Sequence, residues 1–195
     1  MSDILVHTEA GITTLTFNRP DKKNSITAAM YGALADAIAA AAADPAVRVV
    51  VFQGNETTFS AGNDIGDFLN NPPATEDSPV FRFLRGIAQF PKPLVAAVCG
   101  PAVGIGTTLL FHCDLLLGEP FMAEAALEVG LVNRVLTPSE ATGYAQSVAR
   151  KLAAKPLASL VETKRLMKKG NAAMVMATMA EEGASFGRML GEPAA

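Results

Sequence analysis

Two unbroken apolar runs, VRVVVFQG (Val47 to Gly54) and LVAAVCG (Leu94 to Gly100), most constrain what this chain can fold into. Neither run alternates polar with apolar residues. A strand with one wet face alternates; a strand buried on both faces reads as a continuous run and sits in a parallel sheet covered by helices. Helical patterns alternate with these runs, so the expected class is α/β with right-handed crossovers.

The remaining elements follow from local signals. ILVHTEAGITTLTFNRP places two β-branched runs around Glu9-Ala10-Gly11 and predicts a hairpin. Ser25 or Thr27 caps a helix through MYGALADAIAAAAADP, which Asp44-Pro45 ends. A short helix is expected from about Ile65, and Asn70 to Pro79 reads as loop. VFRFLRGIAQF has helical spacing, and Pro91 and Pro93 bracket a turn into the second buried strand. A glycine turn then opens a further helix. FMAEAALEVG predicts a short helix closed by Gly130, and LVNRVL a third strand. Thr137-Pro138-Ser139-Glu140 is a helix start with Thr as cap and Glu at the third position. Helices broken near Pro156 and Gly170 fill the rest. The expected division is a core over residues 1–136 and a helical region over 137–195.

Composition narrows the function. A chain of 195 residues forms one good-sized domain. Its net charge of −3, without a basic stripe of interleaved aromatics, excludes a nucleic-acid partner. Only 18% of residues are charged, and Ala and Met are abundant, which predicts apolar surface buried between subunits. Cys99 and Cys113 lie in apolar surroundings and read as buried free thiols. His7 and His112 belong to no Cys/His/Asp cluster, so no metal is expected. No run of eighteen apolar residues is present, so no membrane span is expected. The start, MSDILVHTEAG, does not read as a secretory signal. The expected location is the cytoplasm.

Two turns carry the candidate chemistry. TTFSAGNDIGDFL (Thr57 to Leu69) and GPAVGIG (Gly100 to Gly106) each follow a buried strand and open a helix. The first N–H groups of a helix have no internal partner and carry partial positive charge. Open α/β sheets place their sites at the carboxyl ends of strands, where both turns lie. No lysine precedes Thr107-Thr108, so the glycine turn is not a P-loop, and Leu109 breaks a GxGxxG pattern. Two amides meeting on one oxygen would instead form an oxyanion hole. Taken singly, each turn is also explained by ordinary strand-to-helix packing.

In order and spacing, NRPDKKNSIT, VRVVVFQG, FSAGNDIGDF, PKPLVAAVCGPAVGIGTTLLFHCDL and GEPFMAEAALEVGLVNRV resemble the crotonase, or enoyl-CoA hydratase/isomerase, superfamily. The resemblance implies a spiral of ββα repeats with a helical C-terminal region that builds trimers or paired trimers. It implies an acyl-CoA thioester substrate, a role in fatty-acid metabolism and no cofactor beyond the coenzyme A of the substrate. The residue after the Ala-Gly pair, Asn63, would give one oxyanion amide, and the middle of the GxG triplet, Ile105, the other. Ala61, Asp64, Ile65, Gly66 and Gly104 would line the path of the CoA ester. Lys22 or Lys23, with Lys23 favoured, would lie near its phosphates, although a solvated loop charge explains these lysines equally well.

The residue that moves the proton is harder to find. Enoyl-CoA hydratases of this family carry a Glu two residues after the last glycine of the triplet, where this chain has Thr108. Δ3,Δ2-enoyl-CoA isomerases use a Glu on a later segment, between the CDL strand and the GEP helix. Here Asp114-Leu115 runs directly into Leu116-Leu117-Gly118-Glu119-Pro120, so that segment is missing near residues 115–117. A true deletion, an altered chain, or a sequence written with ordered residues only would each account for it. The last is expected, because active-site borders are low-stability parts, and because losing a ββα repeat would leave core surface uncovered. Glu119, Glu124 and Glu128 lie near the junction but match a structural helix of the family. Asp64 reads as a helix cap, Asp67 as a solvated face, Asp114 as a binder of backbone groups, and Lys164, Arg165, Lys168 and Lys169 as a solvent-facing basic stripe. The expected activity is Δ3,Δ2-enoyl-CoA isomerisation through an oxyanion-stabilised enolate. The alternatives are enoyl-CoA hydration, or a catalytically silent acyl-CoA binder if the gap is real.

Overall fold

Alternate residues of each central strand are buried on opposite faces of one sheet, as the unbroken apolar runs require. The computed structural model describes residues 2–118, 127, 130 and 132–190. Strand β1 (Ile4–Glu9) pairs antiparallel with β2 (Ile12–Phe17). Ala10 and Gly11 turn the hairpin with φ of 49° and 78°, the positive values that a two-residue primed turn demands. Strands β3 (Val49–Gln53), β4 (Leu94–Val98), β5 (Leu115–Gly118) and β6 (Arg134–Val135) then add in parallel, in the order β1-β2-β3-β4-β5-β6.

Helices cover both faces. Helix α1 (Ala28–Ala43) is capped by Thr27, whose hydroxyl accepts from the Met30 N–H at 3.3 Å. The chain continues through α2 (Ile65–Asn70), α3 (Pro79–Gln89) and α4 (Ile105–Thr108), which runs into a 3-10 turn, Leu109–His112. Helices α5 (Pro138–Ala153), α6 (Leu157–Lys168) and α7 (Ala172–Leu190) follow β6. On one face Leu15, Phe17, Val50, Phe52, Leu94, Ala96 and Leu116 pack with Met30, Leu34, Ile38, Phe83 and Ile87 of α1 and α3. On the other, Ile12, Val49, Val51, Val95, Ala97 and Leu117 meet Ala145 and Ala149 of α5. Each such buried Val, Leu, Ile or Phe contributes about 1.5–3 kcal/mol. The small alanines let α5 lie close against the sheet.

Beyond the sheet, short parallel bridges join successive turns of the chain: Ile26 to Asn63 and Ser60 to Ala102. Strand, bridge and helix thus recur from β2 to β5, the repeat expected of a spiral. No helix among the described residues is long and apolar enough to cross a membrane.

The glycine turn opens the expected helix, which ends at His112, and the chain then re-enters the sheet as β5. Leu115–Gly118 pairs residue for residue with Val95–Val98. Leu116 and Leu117 are both buried, one on each face. Among the described residues of the expected strand LVNRVL, only Arg134–Val135 pairs in the sheet. Of the expected helix 121–130, only Leu127 and Gly130 are among the described residues.

The basic stripe on α6 is not uniformly wet. Lys164 is 7% exposed. Its ammonium donates to the Lys92 carbonyl at 2.7 Å and to Asp114 Oδ2 at 2.8 Å, 5.6 Å above the Phe90 ring. Burial lowers its pKa, yet two acceptors satisfy the charge. Asp114 also accepts the Leu94 N–H at 2.7 Å, at the start of β4. Lys92, buried as well, donates to the carbonyls of Ala41 and Asp44 and so caps α1. Arg48 donates to the carbonyls of Ala153 and Lys155 beyond the end of α5.

Replacing Lys164 by Ala leaves the Lys92 carbonyl and the Asp114 carboxylate short of a donor. The expected loss is about 2–4 kcal/mol in urea unfolding. Lys169→Ala, at an exposed position, is expected to change stability by less than about 0.5 kcal/mol.

Candidate active site

The two turns singled out in the sequence lie side by side at the carboxyl ends of β3 and β4. The Ser60–Ala102 bridge joins them, and the Val103 N–H donates to the Ser60 carbonyl at 2.9 Å. Their closest approach is glycine against backbone. Gly62 has φ of 89°, and a Cβ there would lie 2.8 Å from the Val103 carbonyl oxygen. Gly104 has φ of 53°, and a Cβ there would lie 3.9 Å from the Gly62 Cα. Asn63 and Ile105 follow these two glycines directly.

Both following N–H groups remain available. The Ile26 bridge uses the Gly62 carbonyl and the Asp64 N–H, at 2.8 and 2.9 Å, and so skips the Asn63 N–H. In α4 the internal bonds begin with Gly106 N–H to Val103 and Thr107 N–H to Gly104, both at 2.9 Å, and skip the Ile105 N–H. Neither Asn63 nor Ile105 has a backbone acceptor among the described residues. Two such donors on adjacent turns can stabilise an oxyanion, and losing one of a catalytic pair costs about a hundred- to a thousand-fold in rate.

A polar lock holds the first turn. Arg19 donates to the Ser25 carbonyl at 3.1 Å and to Asp64 Oδ2 at 2.7 Å. Asp64 caps α2 by accepting the Asp67 N–H at 3.0 Å. The Arg19 hydrogen bond, then the Asp67 N–H, hold the Asp64 carboxyl below the ordinary carboxylate range. Asp67 is not merely a solvated charge: it accepts the Ala28 N–H at 2.6 Å, at the start of α1. Buried Asn24 donates to the Thr58 and Phe59 carbonyls at 3.0 and 3.1 Å and accepts the Arg19 N–H at 2.9 Å. Tyr31, on α1, donates to Asn63 Oδ1 at 2.5 Å. Arg19 and Asn24 lie within NRPDKKNSIT and Tyr31 within a predicted helix, and local sequence gives none of them a part at the site. Only the contacts between separate turns reveal those parts.

The other candidates fall around the same turn. Lys23, with φ of 51°, is exposed, and its carbonyl accepts the Ala61 N–H at 2.9 Å. Ile65 is 68% exposed and Gly66 is exposed beside it, while Ala61 and Asp64 are partly buried. Next to Tyr31 lies a cavity of about 250 Å3 lined by Ala28, Phe68, Pro72, Pro73 and Val80, among others.

No carboxylate among the described residues is both free and beside the hole. Thr108 is exposed and carries only a hydroxyl. Asp64 and Asp67 are engaged as above. Asp114 and His112 lie near the start of β4, the end of the strand opposite the glycine turn. Burial, then Lys168 and Lys164, lower the His112 pKa. Burial, with Asp114 beside it, pushes the Cys113 thiol up to about 12, so it is not an activated nucleophile. His7 is exposed on the hairpin beside Glu9. Glu119, Glu124 and Glu128 lie outside the described residues.

Comparison with known proteins identifies the family. Residues 7–117 match the profile of the enoyl-CoA hydratase/isomerase family, which is more than half of the chain. The chain belongs to that family. It is 44% identical over 123 residues to the Mus musculus peroxisomal enoyl-CoA delta isomerase 3, covering 60% of this chain and 38% of that protein. The chain thus spans well under half the length of this relative. It is 30% identical over 204 residues to the 1,2-epoxyphenylacetyl-CoA isomerase of Escherichia coli (strain K12), covering 80% and 78%. The solved structure of Pseudomonas aeruginosa OdaA superposes with a TM-score of 0.94 at 38% identity, over 99% of this chain and 95% of that one. The fold is the crotonase fold.

Gly62→Ala puts a side chain against the Val103 carbonyl at a positive φ. It is expected to lower stability by about 1–3 kcal/mol and to weaken acyl-CoA binding, read by calorimetry. Asp64 gives a pH dependence. Its folded pKa is depressed, so its stabilisation is complete above the ordinary carboxylate range and lost as pH falls through the lowered value. The stability gap between the native protein and Asp64→Asn should therefore be constant near neutrality and close in acid, measured as urea midpoints across a pH series.

Proposed function

We propose that this chain binds acyl-CoA thioesters and isomerises Δ3-enoyl-CoA to Δ2-enoyl-CoA. The observation that carries the reading is the pair of unpaired amides, Asn63 and Ile105, on turns in backbone contact. A proton on the carbon next to a thioester is weakly acidic. Its removal from C2 sends an electron pair toward the thioester oxygen, and the two N–H groups stabilise the enolate. Returning a proton at C4 moves the double bond and consumes no cofactor. Ala61, Asp64, Ile65, Gly66 and Gly104 line the CoA ester, with Lys23 near its phosphates. The apolar cavity beside Tyr31 suits the acyl chain. The name of the mouse relative, an enoyl-CoA delta isomerase, supports this reading, while another relative bears the name 2,3-dehydroadipyl-CoA hydratase.

The proton step requires a carboxylate from outside the described residues, such as Glu119, Glu124 or Glu128, or a water chain. A second reading, a catalytically silent acyl-CoA binder, is favoured by Thr108 and holds if the gap near residues 115–117 is real. Exposed Leu166, Met167 and Met174 on the last helices support assembly into trimers or paired trimers.

Purified protein given 3-enoyl-CoA esters of several chain lengths should form the 2-enoyl products without added cofactor. Tight ester binding without turnover selects the silent binder. Hydration of crotonyl-CoA at a comparable rate selects a hydratase. Failure to bind any acyl-CoA ester contradicts the site itself.

A further inference from the structure

We infer that Tyr31 is a positioning residue for the oxyanion hole: its phenol fixes the Asn63 side chain and thereby aims the Asn63 N–H. This rests on the acyl-CoA reading above. Three observations carry it. First, Tyr31 is 1% exposed, and its ring lies among the packed side chains of α1 and α3, with its centroid 5.8 Å from that of Phe83. Its position is set by the core and not by the loop it touches. Second, its hydroxyl donates to Asn63 Oδ1 at 2.5 Å, across 32 residues of sequence. A buried phenol O–H needs an acceptor, and burial raises its pKa, so it stays a donor. Third, the residue it holds carries one of the two free amides. The Ile26 bridge secures the Gly62 carbonyl and the Asp64 N–H on either side, yet Gly62 leaves a permissive backbone directly before Asn63. The tyrosine restrains the Asn63 side chain, which the bridge does not reach.

Tyr31 also lines the cavity it shares with Ala28, Phe68 and Val80. One side chain therefore faces the proposed acyl space and braces the proposed carbonyl site. It acts through Asn63 and not on the reacting atoms, which separates it from a proton donor.

The test uses Tyr31→Phe, which removes only the hydroxyl, with Asn63→Ala as the second variant. The probe is cinnamoyl-CoA, whose absorption moves to the red when its thioester carbonyl is polarised. Native protein should bind it with a red shift. In Tyr31→Phe the dissociation constant should stay within about threefold, while the red shift falls by about half or more and kcat for isomerisation drops about tenfold, part of the effect of losing a whole donor. Asn63→Ala should show the same loss, and the double variant should be no worse than either, because both remove one unit. A merely structural tyrosine would instead lower the urea midpoint and leave the shift per bound ligand intact. A folded Tyr31→Phe protein with an undiminished red shift overturns the inference, as do additive losses in the double variant. Native protein that binds the ester without any shift overturns the oxyanion reading first, and the inference with it.

Discussion

The candidate site depends on one close approach: the Ser-Ala-Gly turn lying in backbone contact with the Val-Gly-Ile turn. Glycines permit it, since a side chain at Gly62 would meet the Val103 carbonyl and one at Gly100 the Thr57 carbonyl. Parallel pairing of β3 with β4 delivers both turns to the same end of the sheet. The Ser60–Ala102 bridge then sets their separation. The donors are backbone groups, so the Ile105 side chain need not resemble that at the same place in other proteins. What must persist is small residues at the contact and a strand on each side.

Polar contacts, more than apolar burial, fix the loops around that contact. Arg19, Asn24, Ser60, Asp64 and Asp67 are cross-linked by hydrogen bonds from β2 to α2. Each buried member has partners, the condition under which a polar network rigidifies a structure instead of weakening it. At the other end of the strands, Lys164, Asp114 and Lys92 do the same for the junctions of α6, β4 and α1. The two networks leave the ends of the sheet with different chemistry. One end presents free amides; at the other, the charges are matched.

Much of the fold was legible because its signals are local. The runs around Val50 and Val95 announce strands buried on both faces, Ala10-Gly11 a hairpin, and Thr27 and Asp64 helix caps. The strand Leu115–Gly118 was less legible, because a run such as LLFHCDLLLG suits a helix or a strand equally. Pairing with Val95–Val98 decides it. Lys164 was misread for a similar reason: its spacing on α6 says which face it shares, not what that face touches. The glycine turns were visible as candidates, and their order along the chain carried the family resemblance. Tyr31 and Arg19 gave no sequence signal of a role at the site, because that role is a contact between residues 32 and 45 positions apart.

Stabilising an enolate and moving a proton are distinct tasks, and the proposed function assigns Asn63 and Ile105 only the first. The most direct test is a crystal structure of the protein with an acyl-CoA bound. The account predicts the thioester oxygen about 2.7–3.1 Å from both the Asn63 and the Ile105 nitrogen. A thioester oxygen bound elsewhere, or these two N–H groups pointing apart with ester present, would contradict it.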